Sequence, residues 1–364
     1  MSIYLTIVIA VLVLGAVMPQ KGRERIWYIA LMTALHAFVC AFRYEHLTGD
    51  LMNYHWDFIQ LGGYGWFSAE VLHEGRNTGF YMLMKLVNEL SGEDFQSLLI
   101  LIAVVTHLIL GYIIYRYSPM PWFSFLIWNG MAFYVFGFNA IKQALSMSFI
   151  MLAFVGIHKK RPIFYCIMIA LASFIHMPAL IFLPAYWLAQ MRVNWNTVIM
   201  YVILGILLYV FKRQFVKLIS LFYYDNDEFT VFTNALGNRC IMIIGFTMFG
   251  ILLRGFHRRE MEVAFHLMAL AAILQMLSSF DNVFTRLTDY YYQFSVIYLP
   301  LVFFGDGNGQ RRSLVRPVLP FNKRSMKVLA GVVAAYVLWF YVTYSGVFNG
   351  LLGGDTFQFM WEVT

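Results

Sequence analysis

A chain of 364 residues that is 61% hydrophobic and only 12% charged cannot hide its apolar surface in one soluble core, so lipid must cover much of it. Soluble domains carry about 25% charged residues, which excludes an ordinary soluble enzyme. The net charge of +7 reads as basic cytoplasmic loops rather than a nucleic-acid surface, and no nucleic-acid partner is expected.

The pattern predicts an all-α, polytopic transmembrane helical bundle, a single transmembrane domain over 1–364 with about a dozen membrane segments. Met1 to Tyr4 carries no basic region and no small-residue cleavage pattern follows. Ser2–Met18 is therefore expected to be a retained first helix. Further apolar runs lie at 26–42, 98–115, 121–138, 141–157, 162–175, 177–190, 196–212, 239–254, 261–280, 286–304 and 327–344. Several are short for a bilayer that needs about 20 residues, so tilt or local thinning is expected.

Loop 43–97 separates the second run from the third. Inside it Phe80, Leu83, Met84 and Val87 recur at helical spacing, with Asn77 or Thr78 as N-cap and Ser91-Gly92 as the stop. The spacing predicts an amphipathic helix that lies on the outer interface, caps the bundle or lines a substrate path. The stretch 162–190 reads as one long helix or as two short ones broken at His176-Met177-Pro178. Two helices put Lys21/Arg23/Arg25, Lys159/Lys160/Arg161, Arg254/Arg258/Arg259 and the 311–327 stretch on one side. The positive-inside rule favours that arrangement, with an even count of crossings and both termini outside. Loops 43–97 and 213–238 are then external, and the basic loop 305–327 is cytoplasmic, near anionic headgroups. Cys40, Cys166 and Cys240 sit in or at the end of apolar runs with no paired spacing, as small buried apolar residues do.

In this topology the unusual polar residues gather at the external ends of helices: Arg43, Asp50, Tyr54, Asn139, Lys142, Gln143, His176, Arg239, Asp281, Arg286, Asp289 and Tyr290. Ionisable groups at membrane depth are costly and face a partner or a wet cavity. Arg43, Lys142, Arg239 and Arg286 are cations placed against the usual sidedness. One account is snorkelling and pairing with Asp50, Asp281 or Asp289. The other is an anionic ligand at the outer leaflet, such as a lipid pyrophosphate, which Arg grips as a fork and Lys as a point charge. Asp225-Asn226-Asp227-Glu228 has the look of a cation site but reads as a solvated acidic turn. No metal site and no cofactor are expected: zinc spacing, a phosphate loop and a dinucleotide fingerprint are all missing.

Five motifs in order resemble the EpsG family of Wzy-like exopolysaccharide and O-antigen polymerases. They are Arg43, Gly49-Asp50, Tyr54 and Phe58; Asn77-Thr78-Gly79-Phe80; Asn139-Ala140-Ile141-Lys142-Gln143-Ala144-Leu145; Phe174-Ile175-His176-Met177-Pro178-Ala179-Leu180; and Arg286-Leu287-Thr288-Asp289-Tyr290. The resemblance covers roughly residues 26–304. Asn77 stands where the family usually has Glu, and Lys142 where it usually has Arg.

The resemblance implies polymerisation of repeat units carried on undecaprenyl pyrophosphate, at the outer face of a bacterial inner (plasma) membrane. The partners implied are a lipid-linked oligosaccharide donor and acceptor, membrane lipid and, as a candidate protein partner, a chain-length regulator. Arg43, Lys142, Arg239 and Arg286 are expected to hold pyrophosphate, with Arg286 also catalytic. Asp50 or His176 is expected to be the base. Tyr54, Asn139, Gln143 and Tyr290 are expected to orient sugar or phosphate. The competing expectations are a glycosyltransferase using a polyprenyl-phosphate sugar, a lipid-glycan transporter and an acyltransferase acting through His176.

Overall fold

The computed structural model describes residues 3–44, 49–215, 217, 237–279, 282–305, 314–315, 317–319, 321–344 and 359–362. These residues are helical throughout, and their one bridge is the isolated antiparallel contact of Arg43 with Phe359. In chain order the α-helices are α1 (Ile3–Val17), α2 (Arg25–Ala41), α3 (Gly49–Gly62), α4 (Ala69–Leu72), α5 (Thr78–Ser91), α6 (Phe95–Tyr117), α7 (Pro121–Gly130), α8 (Phe133–Phe136) and α9 (Ile141–His158). Then follow α10 (Pro162–Ile175), α11 (Ala185–Leu188), α12 (Trp195–Val210), α13 (Asn238–Phe249), α14 (Arg259–Gln275), α15 (Asn282–Tyr292), α16 (Ser295–Phe304) and α17 (Lys323–Tyr344).

Every predicted apolar run contains helix, and three of the runs are interrupted. Among the described residues, four stretches are long and apolar enough to cross a membrane: Phe95–Tyr117, Ile141–His158, Arg259–Ser278 and Lys323–Thr343. The other apolar helices are shorter, at 10–17 residues. The chain is a membrane protein.

The contacts divide the chain into two units, Met1–Leu180 with Val328–Thr364, and Ile181–Lys327. In the first, α2 lies along α6 and α9 along α10. Gly111 on α6 makes the first contact close, since a Cβ there would strike the Thr33 side chain. Pro121 and Pro162 open α7 and α10 at the position where a missing N–H costs nothing. The Asp94 carboxylate caps α6, accepting from the Gln96 and Ser97 amides at 3.2 Å each.

Loop 43–97 is helical through much of its length, with α3, α4 and α5 inside it. The predicted helix runs Thr78–Ser91 and ends at Gly92, whose φ of 68° allows the left-handed turn that closes it. Asn77 precedes it at φ 55° and makes no side-chain cap to it. Leu51, Phe58, Phe80, Met84, Leu98, Ile141 and Ile175 form one buried core, and this core fixes α3 and α5 against α6, α9 and the end of α10.

In the second unit, α14 carries α12, α13, α15 and α16. Asn194 caps α12 by accepting from the Thr197 amide at 2.9 Å.

Three runs are interrupted. The 121–138 run breaks at Ala132, φ 64°, into α7 and α8. The 177–190 run is a 3-10 turn, Met177–Phe182, followed by the single turn α11. The 286–304 run breaks between α15 and α16, and α15 begins at Asn282. Arg286, Asp289 and Tyr290 therefore lie inside a helix rather than around its start.

Candidate active site

Unit one gathers four of the five sequence motifs. On α3, Asp50, Tyr54 and Asp57 follow i, i+4, i+7 and share a half-buried edge beside the buried Leu51, Phe58 and Leu61. The C-terminal end of α3 is held by α5. Lys85 Nζ donates to the Leu61 carbonyl at 3.2 Å and Asn88 Nδ2 to the Phe58 carbonyl at 2.9 Å, which ties the last turn of that helix to α5. Lys85 also pairs with Glu89 at 2.8 Å.

Lys142, in the first turn of α9, places its ammonium 5.7 Å from the centre of the Tyr54 ring. It acts electrostatically on both Asp50 and Asp57. The Tyr54 ring meets Phe80 edge-on at 5.4 Å. Asp57 is the functional candidate that sequence reasoning passed over. The Tyr81 hydroxyl donates to its Oδ2 at 3.5 Å, and His73 stacks on the Tyr81 ring at 4.0 Å. Burial pushes the Asp57 carboxyl above its usual range, partly offset by His73, the Tyr81 bond and Lys142. Burial and the Asp57 charge push the Tyr81 phenol up to about 12.

The Asn77 element meets the break after α10. Asn77 Oδ1 accepts from the Met177 amide at 3.0 Å, next to His176. His176 leaves the helix in an extended conformation, φ −147° and ψ 101°. Gly79 sits under the Phe174 ring with no room for a Cβ, which explains glycine at that position. The Asn139 carboxamide oxygen is buried without a hydrogen-bond partner. Gln143 is buried, with Nε2 3.8 Å from the Met147 sulfur.

Arg43 has a different neighbourhood. It is 1% exposed. It donates to the Cys40 carbonyl and lies 5.5 Å from the centre of the Phe138 ring. Among the described residues no ion pair joins it to Asp50, the pairing weighed from the sequence. The Met360 amide donates to the Phe42 carbonyl at 3.0 Å, so residues 359–362 close over this corner.

Unit two holds the remaining motif. The Arg239 guanidinium pairs with Asp289, which is fully buried, and lies 5.4 Å from the centre of the Tyr292 ring. Arg286 is exposed one turn earlier on α15 and acts electrostatically on the same carboxylate. Asp289 Oδ2 is buried without a hydrogen-bond partner. Tyr290 is fully buried, and its backbone carbonyl accepts from Gln293 Nε2 at 3.1 Å. Asp281 and the acidic turn 225–228 lie outside the described residues. Among the described residues no cluster of three His, Cys, Asp or Glu side chains is placed to hold a metal.

The arrangement in unit one offers a half-buried carboxylate beside a cation and an aromatic face. The arrangement in unit two offers an exposed guanidinium beside a buried ion pair. Compared with known proteins, residues 26–347 match the EpsG family. No curated protein and no solved structure matches the chain.

Proposed function

The chain belongs to the EpsG family, and from that premise we propose that it polymerises polysaccharide repeat units carried on undecaprenyl pyrophosphate. The observation that carries this reading is the gathering of Asp50, Tyr54 and Asp57 with Lys142, in a unit whose α5 start is tied to the break at His176.

The acceptor sugar hydroxyl attacks the anomeric carbon of the donor, and the bond from that carbon to the pyrophosphate oxygen breaks. The hydroxyl proton passes to a carboxylate, Asp57 or Asp50, or to His176. The departing lipid pyrophosphate gains negative charge, which Lys142 beside these carboxylates stabilises. The face of Tyr54 holds a sugar ring, and Asn139 stands three residues before Lys142 at the start of α9. Arg43, Gln143 and Tyr290 are buried, so they support the helices that present these groups. The chemistry faces the exterior or periplasm of a bacterial inner membrane that the chain crosses about a dozen times, with the basic clusters inside. The exposed apolar side chains of α3, Met52, Trp56 and Ile59, suit an interfacial position for that helix.

The test is a gel assay of purified protein with undecaprenyl-pyrophosphate repeat unit, with and without chelator. A chelator-insensitive ladder is expected. Intact substrate and folded protein with no ladder would end the polymerase reading, whereas transfer of single sugars abolished by chelator would favour a polyprenyl-phosphate-sugar glycosyltransferase. For sidedness, a membrane-impermeant thiol reagent is expected to label His176→Cys and spare Lys159→Cys. The reverse pattern would overturn the topology.

A further inference from the structure

In unit two, α12 and α13 both lie on α14 and leave an open groove of about 310 Å³ between them. Tyr201, Gly205 and Tyr209 of α12 line it, with Thr247 of α13 and with Ala272 and Met276 from α14 and the turn that follows. Two of its three polar side chains, Tyr201 and Thr247, are already engaged. The Tyr201 hydroxyl bonds to His266 Nδ1 at 2.7 Å, and the Thr247 hydroxyl donates to the Ile243 carbonyl at 2.7 Å. Apart from the Tyr209 hydroxyl, what remains is an apolar wall with little to offer a sugar. The lining of α12 runs from Val198 to Tyr209, about 16 Å of helix and half a bilayer core. Val202 and Ile206, which line the groove, are exposed, so the groove opens where lipid would lie.

One end of the groove is cationic. Lys212 and Arg213 follow Tyr209 just beyond the end of α12 at Val210. The Lys212 ammonium folds back over the Tyr209 ring, 4.8 Å from its centre. Met276 lies against Gly205 in the groove wall, and beside it Gln275 Nε2 donates to Thr285 Oγ1 at 3.3 Å. An apolar slot that ends at Lys212 and Arg213 matches a ligand with an anionic head and a long hydrocarbon tail.

We infer that this groove binds the polyprenyl chain of a pyrophosphate-linked substrate, with the pyrophosphate at the Lys212 and Arg213 end. The choice of a polyprenyl over another lipid rests on the polymerase reading.

The test uses the full chain in nanodiscs and undecaprenyl pyrophosphate without sugar, carrying a photoreactive group on the chain. Labelling is expected on the peptides of α12, α13 and α14. Ala272→Phe, which fills the groove, and Val202→Trp, at an exposed lining position, should each weaken binding by about tenfold or more. Lys212→Gln with Arg213→Gln should weaken binding and flatten its salt dependence while leaving the labelled peptides unchanged. Labelling elsewhere, wild-type affinity in both filled variants, or equal displacement by phosphatidylglycerol would overturn the inference. The sugar-free probe separates it from the polymerase reading. Groove labelling in a protein that forms no ladder keeps the groove and removes the polymerase, and a ladder with wild-type affinity in both filled variants does the opposite.

Discussion

Asn77 Oδ1 accepts a hydrogen bond from the Met177 backbone amide at 3.0 Å, across 100 residues of sequence. Two weak-looking motifs, the residues before α5 and the break after α10, are thus one structural element. Asn77 also holds a left-handed backbone, φ 55°, which Asn and Gly adopt at lower cost than branched or bulky residues. Asn77→Gly should lose only the hydrogen bond, about 1 kcal/mol. Asn77→Leu should lose the bond and add backbone strain, a further cost of about 1 kcal/mol or more. Unfolding of the purified protein in detergent measures both. Equal stability of the two variants would show that the backbone conformation carries no cost.

The Arg239–Asp289 pair separates structural from chemical roles in unit two. Asp289 is fully buried while Arg239 is a quarter exposed, at 25%. Arg239→Ala leaves the buried carboxylate without its ion-pair partner, which should cost about 3–5 kcal/mol. Replacing both residues, Arg239→Met with Asp289→Leu, should recover most of that loss, since an apolar pair avoids the desolvation. If the double variant regains stability and still makes no polymer, the guanidinium serves the reaction. If it regains both, the pair is structural only.

The helix α5 was legible because its apolar residues keep one helical stripe and a glycine follows, and the break at His176 was legible from Pro178 and the charge balance. The split of the 121–138 run carried a signal too, Asn129-Gly130, a turn pair hidden in an apolar stretch. α3 was harder to see. Its buried Leu51, Phe58 and Leu61 alternate with the exposed apolar Met52, Trp56 and Ile59, so no one-sided stripe stands out. Asp57 was missed with it, although its spacing of seven from Asp50 would have put both on one face once a helix was assumed. Nothing in the sequence announced that Arg43 would be buried under Phe138, because that depends on Phe359–Glu362 returning to the end of α2.

Lys142 stands where the family usually has Arg, and its ammonium faces the Tyr54 ring and two carboxylates. Lys142→Arg should keep polymerisation within a few-fold and add a bidentate grip. Lys142→Gln should lower the rate of ladder formation about 100-fold, the scale of one lost electrostatic donor. Tyr54→Leu in the wild-type background should affect KM more than kcat if the ring serves as a sugar platform. A Lys142→Gln protein with normal expression and an unchanged ladder would remove the cation from the reaction.

A base in the reaction must be ionised to work, and burial holds the Asp57 carboxyl above its ordinary range. Polymerisation should therefore fall as pH drops through that raised value, giving an acid limb above about pH 4, where a free aspartate titrates. The Tyr81 hydroxyl bonds the carboxylate and favours its charged form. Tyr81→Phe should shift the acid limb to higher pH, and His73→Ala should shift it the same way by removing a favourable charge. Asp57→Asn should lower the rate by about 10²–10⁴-fold and leave the residual activity without that limb. The measurement is the initial rate of ladder formation between pH 4 and 9 for the four proteins. A limb that persists unmoved in Asp57→Asn assigns the proton transfer to Asp50 or His176 and reduces Asp57 to a residue that positions Tyr81 and Lys142.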